Sequence, residues 1–144
     1  MRKIALCLLA ILFCTPAFAH SFQSGPLKIG HPWALPTAPG ATDGAVYLAF
    51  FNTGTTADQL QGATTSIAQK VTLQQADAAG AVTAVNGIDL PAGRGVAFRP
   101  NGSYLKLQGL KGGLAAGDKF TLKLKFASAP PVDVTVFVED KPAD

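Results

Sequence analysis

Phe120-Thr121-Leu122-Lys123-Leu124-Lys125-Phe126 and, after a short Ser/Pro connection, Val132-Asp133-Val134-Thr135-Val136-Phe137-Val138 set the fold class. Phe120, Leu122, Leu124 and Phe126 alternate with Thr121, Lys123 and Lys125. Val132, Val134, Val136 and Val138 repeat the pattern with the same period. A period of two turns successive side chains to opposite faces, so each stretch predicts a strand with one dry face and one wet face. An amphipathic helix would need apolar residues three and four apart. The lysines of the first stretch are expected on a solvated face, where they also protect an edge.

The same punctuation runs through the rest of the chain. Short strands are expected at Leu27–Gly30, Ala45–Phe51, Asp58–Thr65, Val71–Gln74, Val82–Val85, Val96–Arg99 and Tyr104–Leu107. Asn52-Thr53-Gly54, Asn86-Gly87, Pro91-Ala92-Gly93, Pro100-Asn101-Gly102 and Gly112-Gly113 supply the turns between them. His31-Pro32-Trp33 and a Pro-rich loop from Leu35 to Gly40 follow the first strand, and Pro32, Pro36 and Pro39 forbid a helix there. About nine short strands with no helix predict an all-β sandwich or barrel. Phe50, Phe51, Phe98, Phe120, Phe126 and Phe137 are expected in its core. No internal repeat and no linker divides it.

The N-terminus has a different grammar. Arg2 and Lys3 precede an apolar run from Ile4 to Phe13, and small residues end at Ala17-Phe18-Ala19-His20. This is the pattern of a secretory signal peptide. The run is shorter than the ~20 residues a spanning helix needs. Cleavage after Ala19 leaves residues 20–144 as a single periplasmic domain beginning with His20. The competing reading is lipid attachment at Cys14, which wants a small residue before it and finds Phe13.

Processing changes the chemistry. The chain has 144 residues with twelve Lys and Arg against nine Asp and Glu; losing Arg2 and Lys3 leaves ten against nine. So even a balance gives no footprint for nucleic acid or an anionic membrane. Cys7, Cys14 and Met1 also leave, so the mature domain has no disulfide and no soft sulfur ligand for Cu(I). Imidazole, amine and oxygen remain. Both histidines, His20 and His31, survive. No P-loop, G-x-S-x-G or zinc pattern occurs, and no nucleophile–base pair or carboxylate dyad suggests an enzyme.

His31-Pro32-Trp33-Ala34, Pro39-Gly40-Ala41, Ala45-Val46-Tyr47-Leu48, Leu90-Pro91-Ala92-Gly93, Arg99-Pro100-Asn101-Gly102 and Leu107-Gln108-Gly109-Leu110 together resemble the PCuAC domain family. The resemblance covers Leu27 to Val138. It implies a cupredoxin-like Greek-key β-barrel and the role of a periplasmic copper chaperone. It also implies a Cu(I) site of a His, a Met and a His-x-Met. Carried over, these positions fall on Gln74, near Val82, and on Tyr104-Leu105-Lys106. None is a soft ligand, and Lys106 repels a cation while charged. The resemblance therefore does not carry the usual Cu(I) site into this chain.

Three readings stay open. The domain has lost metal, or it binds a partner through the same fold, or the metal has moved to the histidines. The third has a physical basis. The α-amine and Nδ1 of an N-terminal His20, with one ring nitrogen of His31, make a T-shaped three-nitrogen set, the histidine brace. Cu(II) suits such a set because it favours tetragonal N/O coordination. The resemblance adds that some family members without the His/Met motif use a brace. Asp43 and Tyr47, near the Pro-rich loop, are candidate oxygen donors. The plain alternative for His31 is packing, with Trp33 in the core and the imidazole capping a carbonyl. The leading expectation is a Cu(II)-binding protein that stores, buffers or delivers copper to a periplasmic receiver. A metal-free interaction domain and a copper oxidative enzyme are the rivals.

Overall fold

A computed structural model of the chain describes residues 21–141. Eleven strands follow in order: β1 (Ser21–Ser24), β2 (Leu27–Ala34), β3 (Asp43–Asn52), β4 (Asp58–Thr64), β5 (Ala68–Ala76), β6 (Val82–Val85), β7 (Ile88–Leu90), β8 (Gly95–Ala97), β9 (Tyr104–Leu110), β10 (Lys119–Phe126) and β11 (Val132–Val138). They form one sheet in the order β6-β5-β9-β3-β2-β11-β10-β4-β7, with β1 added on β2 and β8 on β3. The sheet curls into a nearly closed barrel, the all-β class expected. All pairings are antiparallel except β11 on β2.

The alternation that predicts β10 holds without exception: Phe120, Leu122, Leu124 and Phe126 are buried, and Lys119, Thr121, Lys123 and Lys125 are exposed. In β11, Val134, Val136 and Val138 are buried while Val132 is half-buried. With Leu27, Ile29, Leu60, Leu90, Leu105 and Leu107 they fill one core. Each fully buried Leu or Val contributes ~1.5–3 kcal/mol by leaving water.

Several sequence expectations are corrected. Lys123 and Lys125 lie on a solvated face but not at an edge, because β10 is paired on both sides by β11 and β4. Phe51 is exposed and Phe137 only half-buried, whereas Phe50, Phe98, Phe120 and Phe126 are buried. Ser21–Ser24, ahead of the first expected strand, is itself a strand, β1, hairpinned on β2 through Gly25-Pro26. Ile88–Leu90 is also a strand, too short for a periodic signal.

β2 does not stop at Gly30. It runs on through His31, Pro32 and Trp33 to Ala34. Gly30 faces Ala49 and Trp33 faces Tyr47, so His31 and Pro32 together oppose the single residue Leu48. That is a β-bulge. It lets a proline sit inside a strand, because the bulged residue needs no ladder N–H. The carbonyl of Leu48 is taken from the other side by the Phe98 N–H at 2.8 Å.

Candidate metal centre

His31 stands at that bulge with φ +32°, a left-handed backbone that few non-glycine residues adopt. The bulge turns its side chain out of the strand's alternation. The imidazole is about one-third exposed and lies parallel to the Phe137 ring, with centroids 6.3 Å apart and planes at 4°. Nε2 is 3.0 Å from Glu139 Oε2. An ionised carboxylate can only accept, so the shared hydrogen belongs to Nε2. Glu139 is brought there by the parallel pairing of β11 with β2, in which Phe137 faces Trp33 and Val138 faces Ala34. Its own N–H bonds the Ala34 carbonyl at 2.9 Å. In the sequence Glu139 is simply the first residue after β11. A parallel pairing between the two ends of the chain leaves no local pattern that could have singled it out.

His20 lies outside the described residues, as do Cys14, the expected signal and its expected cleavage site. The strand that leads to it is described. In β1, Ser21 faces Gly30, Phe22 faces Ile29, Gln23 faces Lys28 and Ser24 faces Leu27. The hairpin thus runs back along β2 toward the bulge, and Ser21 pairs with the residue just before His31. Buried Ser24 fastens it from behind, its hydroxyl donating to the Pro130 carbonyl.

The other candidates lie elsewhere. Asp43 begins β3 opposite Gln108 and is bonded to Lys106, with Nζ 3.2 Å from Oδ2. Tyr47 is buried against Trp33 at 4.6 Å between centroids and near Tyr104 at 6.4 Å. Burial, then the neighbouring Tyr104 hydroxyl, push the Tyr47 hydroxyl above its usual pKa and keep it a neutral phenol, a poor metal donor.

The positions matched to the Cu(I) motif do gather. Gln74 faces Tyr104 and Thr72 faces Lys106 across β5 and β9. Gln74 Nε2 donates to Thr72 Oγ1 at 3.1 Å, and Lys106 is held by Asp43. Val82 is exposed on β6 opposite Ala76. The patch is an amide, a phenol and an ammonium with partners of their own, and it does not fit a soft cation. Among the described residues no three His, Cys, Asp or Glu side chains converge. His31 with Glu139 brings together one imidazole and the carboxylate that orients it, and an imidazole nitrogen is a donor type that suits Cu(II).

The sequence pattern of the family described as "Putative lipoprotein LpqE-like" matches residues 27–138. The "Putative lipoprotein Lxx21020" of Leifsonia xyli subsp. xyli is 32% identical over 146 residues, covering 95% of this chain and 87% of its own. Among solved structures, the copper-bound PCuAC domain from PmoF2 superposes with a TM-score of 0.77 at 25% identity, over 85% of this chain and 99% of that one. The Cu(I)-bound DR1885 protein of Deinococcus radiodurans superposes with a TM-score of 0.68 at 22% identity, over 87% and 84%, a likeness of fold alone.

Proposed function

The chain belongs to the LpqE-like family, and on that premise we propose that it is an exported copper-binding protein holding one Cu(II) through His20 and His31. Copper is its cargo, to be stored, buffered or handed to a receiving protein. Two facts favour copper: a PCuAC domain at a TM-score of 0.77 is copper-bound, and another protein of the fold carries Cu(I). The observation that favours the histidines is the register of β1. Ser21, the residue that follows His20 in the sequence, faces Gly30, the residue that precedes His31.

The chemistry follows from the donors. The α-amine and Nδ1 of His20 close a chelate on one ion, and one nitrogen of His31 completes the T. The amine must lose a proton whose free pKa is ~8, so uptake strengthens as pH rises from mildly acid to neutral. With Gln74, Tyr104 and Lys106 at the other location, no soft donor competes for Cu(I) there.

The test is a competition titration of Cu(II) into protein that begins at His20, beside one bearing an extra residue before it. The copper reading expects one tight site in the first and its loss in the second. Equal affinity in both removes the amine from the site and the brace with it.

A second reading has one observation behind it: the relatives are described as lipoproteins. Lipid attachment at Cys14 would leave His20 internal and without a free amine. Phe13 before that cysteine weighs against it. The mass of the exported protein's N-terminal peptide separates the two, a lipid-modified cysteine against an unmodified histidine.

A further inference from the structure

We infer that Glu139 is the positioning residue of His31: its carboxylate holds the Nε2–H and leaves Nδ1 as the ring's free nitrogen. The purpose of this arrangement rests on the copper reading above; its geometry does not. Nε2 and Oε2 are 3.0 Å apart. The carboxylate has no hydrogen to give, so the contact selects the Nε2–H tautomer.

The carboxylate is well held and uncontested. Glu139 N–H is bonded to the Ala34 carbonyl, and the preceding Val138 N–H to Asp118 at 2.9 Å. Among the described residues the other ion pairs are Lys106 with Asp43 and Lys123 with Asp133, so no lysine or arginine competes for Glu139. The ring cannot swing away freely, since Phe137 lies parallel beside it. The bulge fixes its Cα.

In an imidazole, Nδ1 is the nitrogen nearer the backbone. On β2 the backbone of His31 follows Gly30, the residue that Ser21 faces across the hairpin. The tautomer that frees Nδ1 therefore leaves the nitrogen nearer the backbone open to a metal and spends the outer one on the carboxylate. A carboxylate behind a ligating imidazole also raises the ring's basicity, and removing such a partner typically costs 10–100-fold in metal affinity.

The experiment is long-range 1H–15N correlation of the imidazoles in metal-free protein starting at His20, at mildly alkaline pH, with His31→Ala to assign the rings. The wild type and Glu139→Gln, whose amide oxygen still accepts, are expected to show His31 as the Nε2–H tautomer. Glu139→Ala is expected to show a tautomer mixture. Cu(II) competition on the same proteins should weaken 10–100-fold in Glu139→Ala and recover in part in Glu139→Gln. An Nδ1–H ring in the wild type, or identical ring signals in Glu139→Ala, overturns the inference. So does a copper EPR spectrum in which Glu139→Ala loses an equatorial oxygen while the tautomer stays put, since the carboxylate would then be a ligand. Should the wild type take up no Cu(II) while the ring signals shift as expected, Glu139 keeps its role and the copper reading falls.

Discussion

His31 carries two burdens, a left-handed backbone at φ +32° and an imidazole held by Glu139. The first can be separated from the second. A Cβ in the left-handed region costs ~1–2 kcal/mol, and glycine escapes it. His31→Gly and His31→Ala both remove the imidazole, so both should lose copper. By urea unfolding, His31→Gly should be the more stable of the two by about 1 kcal/mol; equal midpoints would mean the bulge relaxes around any residue. Asp58 is a second residue with a clear energetic role. It is buried, and burial alone would push its carboxyl up. The N–H groups of Ala129, Gln59 and Ser128, at 2.8, 2.8 and 2.9 Å, outweigh that and hold it below the usual carboxylate value. A depressed folded pKa means stability that is full above ~4 and fades as pH falls through the folded value. Asp58→Ala strands three backbone donors and should cost on the order of 3 kcal/mol at pH 7. The gap between wild type and Asp58→Asn should narrow at pH 3; a gap that does not change with pH would contradict the role assigned to the charge.

At the scale of elements, the copper reading rests on the hairpin of β1 on β2. Its lock is the buried Ser24 hydroxyl on the Pro130 carbonyl. Ser24→Ala should leave the barrel folded, cost about 1 kcal/mol, and speed hydrogen exchange at Gln23 and Ser21 while β10 keeps its protection. Unchanged exchange in β1 would show that pairing with β2 alone holds it. The elements also show how far local pattern reaches. β10 and β11 were legible because every inward position is apolar and, in β10, every outward one polar. The bulge in β2 was not: Pro32 reads as a stop, and only the two-against-one pairing with Leu48 shows why a proline can lie inside a strand there. β1 was not legible as a strand, since Ser21-Phe22-Gln23-Ser24 buries one residue of four.

At the scale of the molecule, one core built from all the long strands holds the barrel, and no disulfide is described. Leu122→Ala in its middle should therefore cost ~3–4 kcal/mol and lower the thermal midpoint of the whole domain in one step. Two surfaces of the barrel bear on the copper reading. One, at Gln74, Tyr104 and Lys106, is occupied by its own hydrogen bonds and an ion pair. The other, at His31 and Glu139, lies where both ends of the domain come together, β1 by hairpin and β11 by the single parallel pairing. Residue types alone pointed to His31, because few histidines were present. They could not reveal Glu139, because sequence separation hides a contact made by the order of strands.

The most direct test is the EPR spectrum of one equivalent of Cu(II) in protein that begins at His20. The account predicts a single tetragonal site with coupling to three nitrogens, degraded by His31→Ala and by one residue added before His20. The same spectrum in all three proteins would contradict it.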